Sequence, residues 1–355
     1  MSPTSATALA FKCENSICEV SEKGNCADGF TPPEACPHFG KVRDVLAELE
    51  KSLSPSVLAP TGFPASSIKL SDGEGLTIES VNLLMRQRPT KIIVIAGDKG
   101  SGKTTLITSI YGQFLKGPYV AHAFAESRSI LGFEELCHFS RMASGLPRPD
   151  TMRTSLASNI KFYHLGVVSK EEPSTRQDLL LSDRAGEFYT KARDNSEALE
   201  NLPELKKATV LVLLLDGQRV SNPKEFTNVT ENLQQMLRSF CDGGYLSTES
   251  IVQIVTTKTD TWETSDNKDS IISKRDKFLQ RLKDIFQPKL ASITFFDISA
   301  RDPSGFVPVA NGVDFLFKSW LDVQRQKLEA VEITKEHIFS EFDALAIRKG
   351  ERGDI

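Results

Sequence analysis

The 355 residues carry a formal net charge of −4, with 39% hydrophobic and 25% charged residues, which is typical of a globular chain rather than a disordered one. This small negative charge gives no electrostatic argument for binding nucleic acid or an anionic membrane surface. No apolar run approaches the length of a membrane-spanning helix, and the longest, residues 208–215, fits a buried strand.

The two ends of the chain carry no targeting signal of a recognisable kind. The first residues, Met1–Ala6, lack the basic start of a secretory signal. The last residues, Arg352–Ile355, carry no lipidation motif. We therefore expect a cytoplasmic protein without membrane contact.

Residues 1–40 are poor in apolar side chains but contain four of the six cysteines, with a histidine close behind. The candidate metal ligands are Cys13, Cys18, Cys26, Cys36 and His38. In a cytoplasmic protein such clustering indicates a metal site rather than disulfides. A tetrahedral Zn²⁺ held by any four of these side chains would supply the folding free energy that the segment lacks. Because the spacings fit no zinc-finger pattern, unliganded thiols are the alternative.

Residues 41–89 are predicted to form a helical connector between this segment and the main domain. Apolar residues recur at helical spacing in 41–53 and again in 77–87, which predicts two amphipathic helices. Between them, residues 54–67 are rich in proline and serine, which is typical of a linker.

The most informative motif is at residues 97–104, which match the pattern G-x-x-x-x-G-K-[ST]. An apolar, β-branched strand precedes it at 91–96, and an apolar helical pattern follows from Thr105. Backbone N–H groups at such a turn converge on phosphates, and the helix dipole favours negative charge. Lys103 is predicted to reach the β- and γ-phosphates, and the Thr104 hydroxyl to bind Mg²⁺. The predicted triphosphate-binding residues are Gly97, Asp98, Lys99, Gly100, Ser101, Gly102, Lys103, Thr104 and Thr105.

A second apolar strand, residues 178–183, ends in Asp183-Arg184-Ala185-Gly186-Glu187. A carboxylate at the C-terminal end of a core strand can hold Mg²⁺ through water, which makes Asp183 a candidate ligand. Gly186 has no side chain, so its N–H can approach a γ-phosphate. The D-x-x-G spacing is typical of a loop whose conformation follows that phosphate.

A third apolar strand, residues 251–256, leads into Thr257-Lys258-Thr259-Asp260, which fits the base-recognition pattern [NT]-K-x-D. The Asp260 carboxylate can accept from both the N1–H and the N2 amine of guanine, whereas adenine offers no such pair of donors. The stem of Lys258 can lie along the face of the base. An N-cap role for Thr259 and Asp260 is the alternative.

A last strand at 291–296 leads to Ser299 and Ala300, a short match to a loop whose backbone N–H contacts guanine O6. Further strands are predicted at 159–168 and 208–216, and further helices at 130–139, 226–240, 269–286 and 313–323. This alternation predicts a doubly wound, mostly parallel α/β sheet with its ligand at the C-terminal strand ends. The predicted domains are residues 1–40, 41–89, 90–323 and a helical tail at 324–355.

Residues 90–323 resemble a P-loop GTPase of the Ras-like and translation-factor (TRAFAC) class, because four of the five motifs of that class occur in order. The resemblance implies a G domain that binds GTP or GDP with Mg²⁺. It also implies a switch I threonine on Mg²⁺ before the strand at 159–168. Thr154 is the first choice and Thr151 the second, and the alternative is that both are ordinary loop threonines.

Two features depart from that class. Glu187 stands where glutamine usually orients the attacking water, and its carboxylate can position water but also repels a γ-phosphate. We name Glu187 and Lys103 as the candidate catalytic residues. The segment 116–158 is much longer than switch I of Ras-like proteins and contains Arg128, Arg141, Arg148 and Arg153. An arginine here could stabilise charge in cis, and solvated surface arginines are the alternative.

The long switch I segment, the Asp-x-Ala-Gly-Glu form of switch II and the Cys-rich start are similar to those of bacterial double-GTPases. That resemblance implies a partner GTPase or an effector protein. The expected function is Mg²⁺-dependent GTP hydrolysis in a nucleotide-dependent switch. One alternative is a non-catalytic scaffold that uses its Cys-rich head for recognition. A further alternative is an ATPase or small-molecule kinase, but the guanine-recognition pattern at residues 257–260 argues against it.

Overall fold

The structure is a computed structural model of the chain. It describes residues 31–32, 35–37, 71–141, 144, 151, 154, 159–263, 265–301, 305 and 307–323. Two compact units divide the chain at residues 68 and 69. In the first unit Cys36 is buried, whereas the other four expected zinc ligands, the predicted helix at 41–53 and the linker lie outside the described residues. The predicted tail at 324–355 lies outside them as well.

The described part of the second unit is built on one sheet of seven strands. The strands are β1 (Thr90–Gly97), β2 (His122–Glu126), β3 (Lys161–Ser169), β4 (Arg176–Asp183), β5 (Val210–Asp216), β6 (Ile251–Thr257) and β7 (Ser292–Asp297). Their order in the sheet is β2-β3-β4-β1-β5-β6-β7. The five strands from β4 to β7 in this order are parallel, whereas β3 is antiparallel to both of its neighbours. The predicted α/β fold with a mostly parallel sheet is confirmed.

Helices cover both faces of the sheet. They are α1 (Ile78–Gln87), α2 (Lys103–Lys116), α3 (Ile130–His138), α4 (Gly186–Asp194), α5 (Pro203–Lys206), α6 (Gly217–Ser221), α7 (Phe226–Asp242), α8 (Asp260–Glu263), α9 (Lys268–Phe286) and α10 (Val313–Asp322). Two short 3₁₀ turns, Ser196–Asn201 and Gln287–Lys289, complete the described helical elements. None of the described helices is both long and apolar enough to cross a bilayer.

The central strand β1 separates two hydrophobic cores. Alternate side chains of a strand point to opposite faces, and β1 is apolar on both. Ile92 and Val94 pack into the core that contains residues of α1, α4, α7 and α9. Ile93 and Ile95 pack into the core that contains residues of α2, α3 and α10. An unbroken apolar run in a parallel strand is what burial on two faces requires.

The helices also bury their apolar side chains against the sheet, but these recur every three or four residues instead of at alternate positions. In α7 the residues Val229, Leu233, Met236 and Phe240 are buried, three or four positions apart, and therefore line one face of the helix. The remaining positions are mostly polar, and about half of them are exposed to solvent. This spacing is why the helix was predictable from the sequence.

Neither β2 nor α4 was predicted. β2 has five residues at the edge of the sheet and no fully buried position, so it lacks an apolar run. The nine residues of α4 bury only Gly186, Tyr189 and Ala192, which is too few to reveal a helical period. Both elements are set by tertiary contacts rather than by local patterns.

The five parallel strands end at one edge of the sheet. Their last residues are Gly97, Asp183, Asp216, Thr257 and Asp297. Four of the predicted ligand-binding segments begin at these positions or within two residues of them. In open α/β sheets this edge is where ligands bind.

We expect Trp320→Ala to destabilise the domain by about 3–5 kcal/mol, the range for deleting a buried aromatic side chain. Trp320 is 0% exposed in α10, and its indole N–H donates to Gln253 Oε1 at 2.8 Å. Urea unfolding gives the free energy. The matched control is Phe315→Ala on the same helix, where the ring is 69% exposed and the change should stay within about 0.5 kcal/mol. Equal losses for the two variants would contradict the packing described.

Candidate functional site

The loop between β1 and α2, residues 97–102, is the first component of the site. Gly100 has φ +76° and Gly102 has φ +99°, values that side-chain-bearing residues rarely adopt. Gly102 is the N-cap of α2, and its carbonyl accepts from Leu106 N at 2.9 Å. The helix therefore begins directly at the loop with its first backbone N–H groups free of helical partners, the arrangement that binds anions.

Lys103 is buried inside this loop. Its ammonium donates to the carbonyl oxygens of Gly97 and Asp98, both at 2.9 Å. Burial lowers the pKa of Lys103 to about 8, and the charges of Asp183, Asp98 and Glu187 oppose that shift. The structure thus places a cation at the centre of the loop, close to three carboxylates.

Thr104, Thr154 and Asp183 meet next to the loop. The Thr104 hydroxyl donates to Asp183 Oδ1 at 3.3 Å, and the Thr154 hydroxyl donates to Asp183 Oδ2 at 3.1 Å. The two hydroxyl oxygens are themselves 3.1 Å apart. Burial raises the pKa of Asp183, and the threonine hydroxyls and Lys103 oppose that shift. Thr151 lies nearby, where its hydroxyl accepts from Thr105 at 3.3 Å.

Gly186 begins α4 in contact with the phosphate loop. A Cβ at this position would lie 2.6 Å from the carbonyl carbon of Asp98 and 2.6 Å from the nitrogen of Lys99. Only a glycine allows so close an approach between the two backbones. Glu187 follows in the first turn of α4, and its charge acts on Lys103.

The predicted base-recognition residues lie on the other side of the loop. The Thr257 hydroxyl donates to the carbonyl of Ser101 at 2.8 Å and joins the end of β6 to the phosphate loop. Lys258 adopts the left-handed conformation with φ +54°, and its ammonium donates to Asp216 Oδ2 at 2.7 Å. Asp216, at the end of β5, was not predicted to belong to the site, because a single strand-ending aspartate has no diagnostic spacing.

Asp260 and Ser299 come together although they follow different strands. The Ser299 hydroxyl donates to Asp260 Oδ1 at 2.6 Å, and Ser299 is fully buried. The next residue, Ala300, is held to α2 because its carbonyl accepts from the Ser109 hydroxyl at 3.2 Å. The two predicted base-binding segments therefore form one surface.

A cavity of about 370 Å³ lies beside the phosphate loop. It is lined by the phosphate loop, both candidate switch threonines, the start of α4, Lys258 and Arg301. Arg301 was not predicted from the sequence to belong to the site. Its position directly after Ser299 and Ala300 was the one feature that could have indicated it. One guanidinium nitrogen of Arg301, Nη1, is buried without a hydrogen-bond partner in the described part of the chain.

The residues present fit a nucleoside triphosphate with Mg²⁺. The loop and helix N-terminus supply N–H donors, and Lys103 supplies a cation for phosphate oxygens. Asp183 and the two threonine hydroxyls are hard oxygen ligands of the kind that Mg²⁺ prefers. No cluster of three His, Cys, Asp or Glu side chains that could hold a metal occurs among the described residues.

Two of the four arginines in the long switch I segment are engaged elsewhere. Arg141 pairs with Glu134, and Arg128 donates to Gln87 Oε1 at 2.9 Å. Neither side chain lines the cavity. Arg148 and Arg153 lie outside the described residues.

Comparisons with known proteins give one family and several distant structures. A family model described as Double-GTPase 2 matches residues 91–321. No curated protein matches the sequence. Among solved structures, a chain of the signal recognition particle receptor SRb-GTP/SRX complex from Chaetomium thermophilum is 15% identical, with a TM-score of 0.37; the match covers 65% of this chain and 99% of that one.

Two other structures are similar at the same level. Roco2 RocCORdC from Methanosarcina barkeri, bound to GDP, is 17% identical with a TM-score of 0.32, and the match covers 68% of this chain and 52% of that one. The bacterial selenocysteine-specific elongation factor EF-Sec is 16% identical with a TM-score of 0.36. The match covers 67% of this chain and 30% of that one.

The lowered pKa of Lys103 predicts a pH dependence of triphosphate binding. A phosphate stabilises the charged ammonium, so affinity should fall by about tenfold between pH 7 and pH 9 as the free protein loses this proton. Calorimetry in two buffers of different ionisation enthalpy should detect proton uptake on binding.

The matched control for this pH dependence is Lys91→Met. Lys91 also has a pKa lowered to about 8 by burial, but it lies at the opposite end of β1, where it donates to the carbonyl of Leu321 at 2.6 Å. The pH dependence should persist in this variant. If it disappears with Lys91, Lys103 is not the group that titrates.

Proposed function

Since the chain belongs to the Double-GTPase 2 family, we propose that it binds GTP with Mg²⁺, hydrolyses it slowly and acts as a nucleotide-dependent switch for a partner protein. One observation carries this proposal. The loop with Lys103, the residues Thr104 and Thr154 and the Lys258 side chain line a single cavity, although long stretches of chain separate them. Asp183 accepts hydrogen bonds from both of these threonines.

The phosphates are bound by the loop between β1 and α2. The backbone N–H groups of residues 99–104 bind phosphate oxygens, and Lys103 exchanges its two loop carbonyls for the β- and γ-phosphates. Its burial makes this charge strong, because little water screens it. The N–H of Gly186 contacts the γ-phosphate from the side of α4.

The metal would be held by Thr104, Thr154 and Asp183. Mg²⁺ bound there would neutralise negative charge on the phosphates. The Asp183 carboxylate and the two threonine hydroxyls orient toward the ion, and Thr154 is the residue we assign to switch I. Loss of the γ-phosphate removes the contacts that hold Thr154 and Gly186, which releases both segments.

Guanine is selected by Asp260, with Ala300 contributing its backbone N–H to O6. The Asp260 carboxylate accepts from the N1–H and N2 amine of the base, and the Ser299 hydroxyl holds it in place. Lys258 covers one face of the base, and its bond to Asp216 fixes the direction of its stem. Adenine lacks both donors, so ATP is discriminated against.

Hydrolysis depends on Glu187 in this proposal. Its carboxylate would orient the attacking water and take its proton as the water oxygen bonds to the γ-phosphorus, and the bond from that phosphorus to the leaving GDP oxygen breaks. Lys103 and a bound Mg²⁺ would offset the repulsion between this carboxylate and the γ-phosphate. A non-catalytic scaffold is the second candidate, and the negative charge of Glu187 beside the γ-phosphate position is the observation in its favour. The partner that the switch controls is an effector protein or a second GTPase.

Nucleotide binding tests the proposal directly. Wild-type protein should bind labelled GTP and GDP and discriminate against ATP, and Lys103→Ala should abolish triphosphate binding because the phosphates lose their buried cation. Asp260→Asn should weaken GTP binding and strengthen xanthosine triphosphate binding, since the new amide can donate to the 2-oxo group. Equal binding of GTP and ATP by the wild type would reject guanine selection, and unchanged affinity in Lys103→Ala would reject the phosphate site.

Phosphate release under single-turnover conditions tests the role of Glu187. Glu187→Ala should lower the rate by a factor on the order of 10²–10⁴, the usual contribution of a positioned acid–base group. Glu187→Gln should keep GTP affinity while changing the rate, because the residue acts on water. A scaffold would show negligible turnover in all three proteins. Full activity in Glu187→Ala would assign the chemistry to another residue or to a partner.

We also propose a structural Zn²⁺ in residues 1–40. The support is the clustering of Cys13, Cys18, Cys26, Cys36 and His38 in an apolar-poor segment. Metal analysis of the purified protein should find about one zinc per chain, and the double variant Cys13→Ser/Cys18→Ser should lose it. Metal-free protein in which this segment resists proteolysis would contradict the proposal.

A further inference from the structure

Asp98 is the acidic residue of the phosphate loop, and its carboxylate contacts three helices. Oδ2 accepts from Arg219 Nη1 in α6 at 3.0 Å and from Asn232 Nδ2 in α7 at 3.4 Å. Oδ1 is 3.5 Å from the Thr190 hydroxyl in α4, at the limit of a hydrogen bond. The Asp98 side chain is only 16% exposed, so these contacts are partly shielded from solvent.

A second contact ties α4 to the same point. Arg193 of α4 donates through Nη1 to Asn232 Oδ1 at 2.5 Å. Asn232 therefore donates to the phosphate loop with its amide nitrogen and accepts from α4 with its amide oxygen. Thr190 and Arg193 are three residues apart and lie on one face of the helix.

The backbone at the start of α4 meets this residue too. A side chain at Gly186 would collide with the peptide between Asp98 and Lys99. The helix that carries Gly186 and Glu187 thus packs against the peptide after Asp98 at its first residue. One to two turns later, Thr190 and Arg193 link it to the Asp98 side chain, the latter through Asn232. The bonds of Asn232 and Arg193 have no direct part in the phosphate, metal or base sites described above.

We propose that Asp98, Asn232 and Arg193 form a latch, which we call the α4 latch, that positions α4 so that Gly186 and Glu187 face the γ-phosphate. This inference rests on the proposed GTP binding and adds positioning residues to it. Asn232 and Arg193 act through α4, and neither side chain lines the cavity at the phosphate loop.

The latch acts on the populations of two arrangements of α4. GTP uses the arrangement in which Gly186 lies against the loop, whereas GDP has no γ-phosphate to contact that residue. A latch that favours this arrangement raises the fraction of protein competent for GTP, and apparent affinity scales with that fraction. Removing the latch should therefore weaken GTP binding more than GDP binding, and we expect the preference for GTP over GDP to fall by about tenfold.

The test compares Asn232→Ala with the matched control Ser239→Ala. Ser239 also lies on α7 and also bonds to α4, since its hydroxyl donates to the carbonyl of Ala192 at 2.7 Å, but it has no bond to the phosphate loop. Equilibrium titrations with GTP and GDP give the preference for each protein. Hydrogen exchange over residues 186–194 without nucleotide gives a second readout, which should rise in Asn232→Ala.

The expected result is a preference lowered about tenfold in Asn232→Ala and unchanged in Ser239→Ala. Arg193→Met breaks the same link from the side of α4 and should lower the preference for GTP by a similar factor. This variant also keeps the test available if Asn232→Ala fails to fold. The double variant Asn232→Ala/Arg193→Met should lower the preference for GTP over GDP no further than either single variant does. Equal preference in wild type, Asn232→Ala and Arg193→Met overturns the latch, whereas wild type that does not bind GTP overturns the proposed function instead.

Discussion

The charge balance around Lys103 is the constraint on which the site depends. Its ammonium is buried, and the carboxylates whose charges act on it come from three elements: Asp98 in the loop, Asp183 at the end of β4 and Glu187 in α4. The phosphate loop, the proposed metal ligands and the start of α4 therefore share one electrostatic centre. A bound phosphate changes the field at all three, because it brings negative charge to the cation that they surround.

The sheet brings the other segments of the candidate site to the phosphate loop. Five parallel strands end at one edge, so segments far apart in sequence meet there. The hydrogen bond from the Thr257 hydroxyl to the carbonyl of Ser101 joins the end of β6 to the phosphate loop. The bond from Ser299 to Asp260 joins the segment after β7 to the segment after β6. The proposed base site is thereby bonded to the phosphate loop, so a shift of one segment disturbs the other.

The sequence predicts those parts whose chemistry is local. The apolar run of β1 followed by glycines and a lysine identifies a phosphate loop, because strand, turn and helix are consecutive in the chain. The spacing of apolar residues likewise predicts α7. By contrast, Asp98 is 121 residues from Arg219 and 134 from Asn232, so their meeting leaves no local pattern. The edge strand β2 and the short helix α4 escape prediction because few of their residues are buried.

Thr104, Thr154 and Asp183 should form a Mg²⁺ site whose filling accompanies GTP binding, and this expectation is central to the proposed function. The measurement is the GTP dissociation constant with excess Mg²⁺ and with a chelator, in wild type and in Thr104→Ala. Mg²⁺ should tighten GTP binding to the wild type, and Thr104→Ala should lose most of this gain while remaining folded. Equal GTP affinity with and without Mg²⁺ in the folded wild type would contradict the proposed metal site.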